Sequence, residues 1–268
     1  MNTESVNSKT KGISDATVEE ALYMINDEDA TVAAAVRKAI PSIAKMVTAG
    51  AKTLKNGGRI FYCGCGTSGR IAVADAAECP PTYGVDRELV NAVIAGGAKA
   101  MVNASEGCED SRERGEQAFA EYGVCEKDMV IGISAAGRPP FVLAFMGKAK
   151  ELGCTVCAVV NNENTEMARI SDIAIETLTG AEAIKGSTRM KAGTSQKMIL
   201  NMFSTALFIQ MGCTYQNYMV NMIPNNTKLR ARAVSMVADI MQTDANTATE
   251  LLEANDWDIK KVINSQNK

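Results

Sequence analysis

The 268-residue sequence contains no histidine. This excludes Ser-His-Asp and Cys-His nucleophilic mechanisms and leaves proton transfer to Glu, Asp, Lys, Tyr or Cys. A basic stripe is also missing. The formal net charge is −3 and the Lys and Arg residues are scattered, so nucleic acid is not an expected partner. Long apolar runs are absent too. The most apolar stretch, Met198 to Cys213, is interrupted by Asn201, Ser204, Thr205 and Gln210, and the polar start MNTESVNSKTKG lacks the apolar core of a signal peptide. A soluble, cytoplasmic protein without membrane contact is expected. Cysteine is not scarce, at eight residues, but several lie inside apolar runs and read as small buried hydrophobes. Cys154 and Cys157 form a CxxC with no second pair nearby. Residues three apart on a strand point to opposite faces, so no metal or redox centre is expected there.

With 46% hydrophobic and 22% charged residues, the chain has the balance of a globular protein. Apolar residues at helical spacing mark Thr31 to Leu54 as an amphipathic helical region, bent at Pro41 and stopped by Asn56-Gly57-Gly58. Arg59 to Cys63 then reads as a buried strand, followed by a glycine loop and a helix over Arg70 to Glu78. The alternation continues with strands at Leu89 to Ile94, Met129 to Ile133, Thr155 to Val160 and Ile173 to Ile175. Helices are expected near Ala98 to Asn103, over Glu109 to Tyr122 and over Pro140 to Leu152. Strands alternating with helices imply an α/β fold with a mostly parallel sheet covered on both faces. Gln196 to Met211 is apolar nearly all round and reads as a buried helix. Asn226 to Met241 is amphipathic, and Asp244 to Lys268 reads as two short helices broken at Asn255-Asp256.

The loop Gly64-Cys65-Gly66-Thr67-Ser68-Gly69 matches GxGxxG between a strand and a helix, as a dinucleotide fingerprint does. A dinucleotide site also needs an acidic residue at the end of the second strand. Asp86 and Glu88 precede that strand instead of following it. Thr67 and Ser68 place two hydroxyls where free amides and the helix dipole favour a phosphate, so a compact phosphomonoester fits better. A second loop, Ser134-Ala135-Ala136-Gly137, follows the strand Met129 to Ile133 and is expected to approach the same crevice.

These loops, with Ala77 to Gly84, Ala95-Gly96-Gly97, Glu106 to Asp110, Gly186 to Thr194 and Gln196-Lys197-Met198, resemble the sugar isomerase (SIS) superfamily. Within it they resemble the N-acetylmuramic acid 6-phosphate etherase family, in order and spacing over nearly the whole chain. The resemblance implies a three-layer sandwich around a five-stranded, mostly parallel sheet over residues 1–225, with the N-terminal helices. It further implies a C-terminal, UBA-like helical appendage over 226–268, truncated relative to the family, and a homodimer with the site near the subunit interface. The implied reaction cleaves the D-lactyl ether of N-acetylmuramic acid 6-phosphate in cell-wall sugar recycling, without metal or organic cofactor.

Elimination of that ether needs a base for the C2 proton and an acid for the departing oxygen, and the family's two catalytic glutamates match Glu78 and Glu109. Glu78 is expected to end its helix, where the dipole disfavours the carboxylate and suits an acid; Glu109 is expected to begin one, which suits a base. Phosphate and sugar binding falls to Gly66, Thr67, Ser68, Gly69, Arg70, Ser134, Gly137, Ser187, Thr188 and Lys191. Where the family has hydroxyls at positions 136 and 139, this chain has Ala136 and Pro139, which predicts a weaker phosphate grip. The alternatives are a non-catalytic sugar-phosphate-binding regulator, as in the related glucokinase regulatory protein, and an aldose-ketose isomerase. Both glutamates are present, which favours the etherase.

Overall fold

A computed structural model describes residues 2–104 and 106–265. Residues 266–268 of the expected C-terminal segment lie outside the described residues. The chain divides into two compact units, one of residues 1–77 and 88–207, the other of 78–87 and 208–268. The smaller unit thus takes in more chain than the 226–268 tail suggested by sequence.

The larger unit is built on five parallel strands: β1 (Ile60–Gly64), β2 (Val90–Ile94), β3 (Met129–Ser134), β4 (Thr155–Val160) and β5 (Ile173–Glu176), in the order β2-β1-β3-β4-β5. Every residue of β1 and β3 is buried, so these central strands read as continuous apolar runs. Alternation still assigns their side chains to two layers. On one face Phe61, Cys63, Val130, Val156 and Ala158 share a core with Phe141, Val142 and Phe145 of α5 (Pro140–Leu152). On the other, Tyr62 packs edge-on against Phe203 of α7 (Lys191–Gln210), with ring centroids 6.2 Å apart. Burying a large side chain fully contributes about 1.5–3 kcal/mol, whereas a surface ion pair gives about 0–1 kcal/mol, so packing fixes the sandwich. A half-buried ion pair pins its lower edge: Asp128, itself buried, accepts from the Arg59 backbone N–H at 2.7 Å and from its guanidinium at 2.8 Å. This joins the starts of β1 and β3.

Several boundaries differ from those read in the sequence. The helix α1 (Val18–Asp29) was not anticipated, although Thr17 and Glu20 close a complete capping box at its start. The helix α2 (Val32–Lys55) runs unbroken through Pro41, and Ile40 beside the proline is 44% exposed. The helix α3 runs Gly66–Tyr83, starting inside the glycine loop and continuing through Pro80-Pro81. The helix α4 (Arg112–Glu121) begins after Glu109 because Ser111 caps it, accepting from the N–H of Arg114. A short helix α6 (Glu166–Ile170) separates β4 from β5. Among the described residues no helix is long and apolar enough to cross a membrane.

The smaller unit holds α8 (Thr227–Met241), α9 (Ala245–Glu253) and α10 (Ile259–Ser265). Asn226 and Asp244 cap the first two. Its core gathers Val220, Met222, Met236, Val237, Leu252, Val262 and Ile263. Arg230 lies over the Trp257 ring at 4.7 Å, and Tyr83 stacks on Phe208 with centroids 4.6 Å apart.

Candidate active site

Strand order reverses at β1: the chain leaves it for β2 on one side and returns to β3 on the other. In an open parallel sheet this reversal opens a crevice at the carboxyl ends of the strands. The glycine loop emerges there from β1 and the second loop from β3. A crevice of about 660 Å³ lies between them, lined by residues that include Gly66, Thr67, Ser68, Ser134, Thr188 and Glu109. That volume suits a small organic ligand. An adjoining recess of about 200 Å³ shares Gly66, Thr67 and Glu109 and adds Arg70.

The glycines of the first loop have separate physical tasks. Gly66 takes φ +51°, while an added Cβ on Gly69 would lie 2.6 Å from Ile94 and one on Gly64 would lie 2.8 Å from the Gly69 nitrogen. Strand and helix therefore approach more closely than side chains permit. The Gly69 N–H already bonds the Cys65 carbonyl. The amides of Gly66, Thr67 and Ser68, at the start of α3, have no carbonyl a turn earlier in the helix, so they form the end at which the helix dipole favours negative charge.

The two hydroxyls of that loop differ. Ser68 is buried and donates to Gln196 Oε1 at 2.8 Å; Gln196 Nε2 donates to Asn161 Oδ1 at 3.0 Å, and Asn161 Nδ2 donates to Ser195 Oγ at 2.7 Å. Ser68 is thus the crevice-side end of a buried polar chain. Thr67 is half-buried, lines both cavities, and its methyl faces α7, where an added Cβ on Gly193 would lie 3.3 Å from it.

The second loop offers an anion much less. Ser134 Oγ accepts from the Gly137 N–H at 3.1 Å, so its hydroxyl shapes the loop. Gly137 does not line the crevice; it has φ +66°, and an added Cβ would lie 2.4 Å from Thr165. Pro140 at the start of α5 has no N–H, and the next amide, Phe141, donates to the Glu109 carbonyl at 2.9 Å. The first two positions of α5 therefore have their amide missing or occupied.

That Phe141–Glu109 bond brings Glu109 to the crevice wall. Glu109 is exposed in a turn three residues before α4, off the helix on which the sequence placed it. Asp110 lines the crevice beside it. Arg70 donates to the carbonyls of Met101 and Asn103 at 3.1 and 3.2 Å and so buttresses the segment after β2. Ser187 is half-buried and outside the lining, whereas its neighbour Thr188 is inside it. Lys191, expected to bind substrate, is 3% exposed, with its ammonium paired to Glu28, and does not line the crevice. Glu78 belongs to the other unit, exposed on α3. It is not the end of that helix, which continues to Tyr83. Pro80 and Pro81 have no N–H, so the carbonyls of Ala76 and Ala77 lack their usual i+4 donors.

Cys65 lines the crevice, but burial, with the charges of Glu109 and Asp110 adding to it, pushes its thiol up to about 12. Burial thus disfavours the thiolate that a nucleophilic cysteine needs. Burial also raises Cys154, to about 11, and its thiol donates to the Cys125 carbonyl. Among the described residues no group of three or more Cys, Asp or Glu is placed to hold a metal ion. Glu4 and Arg138 also line the crevice; Glu4 stands in a short polar segment without periodicity, so no pattern in the chain marked it.

The family model of the glucokinase regulatory protein N-terminal SIS domain matches residues 42–150, and that of the SIS domain matches residues 122–206. The N-acetylmuramic acid 6-phosphate etherase of Clostridioides difficile is 47% identical over 263 residues, which are 97% of this chain and 86% of that protein. The protein of the same name from Symbiobacterium thermophilum is 47% identical over 91% of this chain and 81% of its own. That from Salmonella typhi is 43% identical over 97% and 88%. Two solved phosphoheptose isomerases share the fold: that of Francisella tularensis has a TM-score of 0.57 at 18% identity, covering 72% of this chain and 98% of its own. That of Neisseria gonorrhoeae has 0.55 at 16%, covering 71% and 98%.

Proposed function

The chain belongs to the N-acetylmuramic acid 6-phosphate etherase family, and from that premise we propose that it cleaves the D-lactyl ether of N-acetylmuramic acid 6-phosphate with Glu109 as base and Glu78 as acid. Membership makes the protein an enzyme, a carbon-oxygen lyase. The sugar reacts in its open-chain form, whose C1 aldehyde acidifies the proton on C2. Glu109 takes that proton, and the electron pair forms a C2–C3 double bond as the C3–oxygen bond breaks. Glu78 protonates the departing oxygen, which leaves as D-lactate. Water adds across the double bond, its hydroxyl to C3 and a proton to C2, giving N-acetylglucosamine 6-phosphate. No metal or organic cofactor enters this scheme.

The single observation that carries the reading is that Glu109 lines one crevice with the first amides of α3. The phosphate sits on the amides of Gly66, Thr67 and Ser68 and the Thr67 hydroxyl, at the positive end of the helix. Gly69, Gly137 and Ser134 act by shaping the two loops, Ser68 and Arg70 by bracing the walls, and Thr188 closes the sugar end. Ser187 and Lys191 support the turn that carries Thr188. A cytoplasmic homodimer is the working form, and the exposed Val18, Leu22 and Tyr23 of α1 supply apolar surface for a second copy.

The test is D-lactate release from N-acetylmuramic acid 6-phosphate. Glu109→Gln and Glu78→Gln are expected to lower turnover by about two to four orders of magnitude while the phosphosugar still binds. Undiminished turnover in either variant rejects that assignment. The regulatory alternative draws on Ala136 and Pro139 in the second loop, and binding by the wild-type protein without D-lactate release would select it.

A further inference from the structure

Residues 2–10 form a strap held by polar anchors. Thr3 is fully buried and makes a reciprocal pair with Asn162: its N–H donates to Asn162 Oδ1 at 3.3 Å, and Asn162 Nδ2 donates to Thr3 Oγ1 at 2.8 Å. The same Nδ2 donates to the carbonyl of Ala135, in the second crevice loop, at 2.9 Å. Farther along, Asn7 donates to the Ala181 carbonyl at 3.2 Å and Thr10 to the Ala183 carbonyl at 2.8 Å. Glu182, between those two carbonyls, accepts from the N–H groups of Lys191 and Ala192 at the start of α7. Lys9 adds a contact to Glu28 at 3.2 Å. Ordering a chain segment costs about 1–2 kcal/mol per residue. Here the strap's one large apolar side chain, Val6, is 57% exposed, so hydrogen bonds rather than apolar burial hold it.

What the strap delivers to the crevice is Glu4. This carboxylate is exposed, lines the crevice with Thr67 and Thr188, and reaches within 3.5 Å of where a side chain at Gly186 would begin. We propose that Glu4 is a specificity-determining residue that accepts hydrogen bonds from the hydroxyls of the bound sugar, and that Thr3 is its positioning residue. The proposal rests on the phosphosugar reading above. An ionised carboxylate only accepts hydrogen bonds, so it favours the hydroxyl-bearing ring and repels the phosphate, which the α3 amides hold instead. Glu4 thereby distinguishes a sugar phosphate from phosphate alone and sets the orientation of the ring.

The experiment titrates full-length wild-type, Glu4→Ala, Thr3→Val and the double variant with N-acetylglucosamine 6-phosphate and with inorganic phosphate. Glu4→Ala is expected to weaken phosphosugar binding about tenfold or more, the loss of hydrogen bonds to a charged acceptor, with phosphate binding unchanged. Thr3→Val is expected to weaken phosphosugar binding severalfold in the wild-type background and not further in Glu4→Ala. Unchanged phosphosugar affinity in Glu4→Ala overturns the proposal. So does parallel loss of both ligands, or an additive effect of Thr3→Val, since either makes the strap merely structural. A wild-type protein that binds phosphate but no phosphosugar overturns the functional reading itself and this proposal with it.

Discussion

Thr67 and Ser68 stand side by side in the glycine loop, and their surroundings predict opposite consequences for removing each hydroxyl. Ser68→Ala leaves Gln196 Oε1, on a side chain 1% exposed, without the donor it has at 2.8 Å. An unsatisfied buried acceptor costs about 1–3 kcal/mol, and about 2–4 °C of melting temperature accompanies each kcal/mol in a chain of this size. A fall of roughly 2–12 °C is therefore expected, with a smaller change in phosphosugar affinity. Thr67→Ala removes no hydrogen bond among the described residues but, on the proposed function, removes a donor to the phosphate. Charge-assisted bonds contribute about 1.5–3 kcal/mol, so binding of N-acetylglucosamine 6-phosphate should weaken roughly ten- to hundredfold with the melting temperature nearly unchanged. Scanning calorimetry and isothermal titration on both variants measure the two effects separately. If Ser68→Ala melts with the wild type while Thr67→Ala melts early, the division of labour is wrong.

Three further outcomes follow from the fold. Burial pushes the Glu28 carboxyl up, but the hydrogen-bonded Lys191 ammonium, with Asn7 and Lys9 close by, outweighs it and holds it down at about 2. A depressed carboxyl contributes stability above its ordinary value near 4.5 and loses it as pH falls toward 2, so up to about 3 kcal/mol should disappear across that window in denaturant titrations. Glu28→Gln should flatten that slope and destabilise at neutral pH by about 3–5 kcal/mol, because Lys191 is left buried and unpaired; an unchanged slope refutes the assignment. Asp128→Asn should cost about 1–3 kcal/mol in urea melts, since the half-buried Arg59 loses its charged acceptor but keeps the Gly123 carbonyl, and a loss below about 0.5 kcal/mol would show the pair to be dispensable. Gly137→Ala should destabilise by at least about 1 kcal/mol, because it combines a positive φ with a clash at Thr165; equal stability in the same melts would contradict that geometry.

Period and punctuation made the sheet legible. The apolar runs at Ile60, Val90, Met129, Thr155 and Ile173 are strands because β-rich segments bounded by turns have few other ways to bury both faces. The helix ends were less legible. The α3 boundary ran past Pro80-Pro81 and α4 begins at Arg112 under the Ser111 cap, since a cap and its neighbours decide an end locally and several residues could serve.

Legible from the chain were the α/β class, the glycine loop at the start of α3 and the etherase motif set, because these depend on residues close together in the chain. The tertiary structure takes up the Ser68 hydroxyl and not that of Thr67, since Gln196, which accepts from Ser68, lies 128 positions away. It alone set Lys191 into a buried pair with Glu28 and fastened Glu109 to the crevice through Phe141. It also brought Glu4 to the crevice, by way of a hydrogen bond between Thr3 and Asn162. Each of these rests on a polar partner distant in sequence, and a hydrogen bond leaves no periodic trace in the chain that makes it.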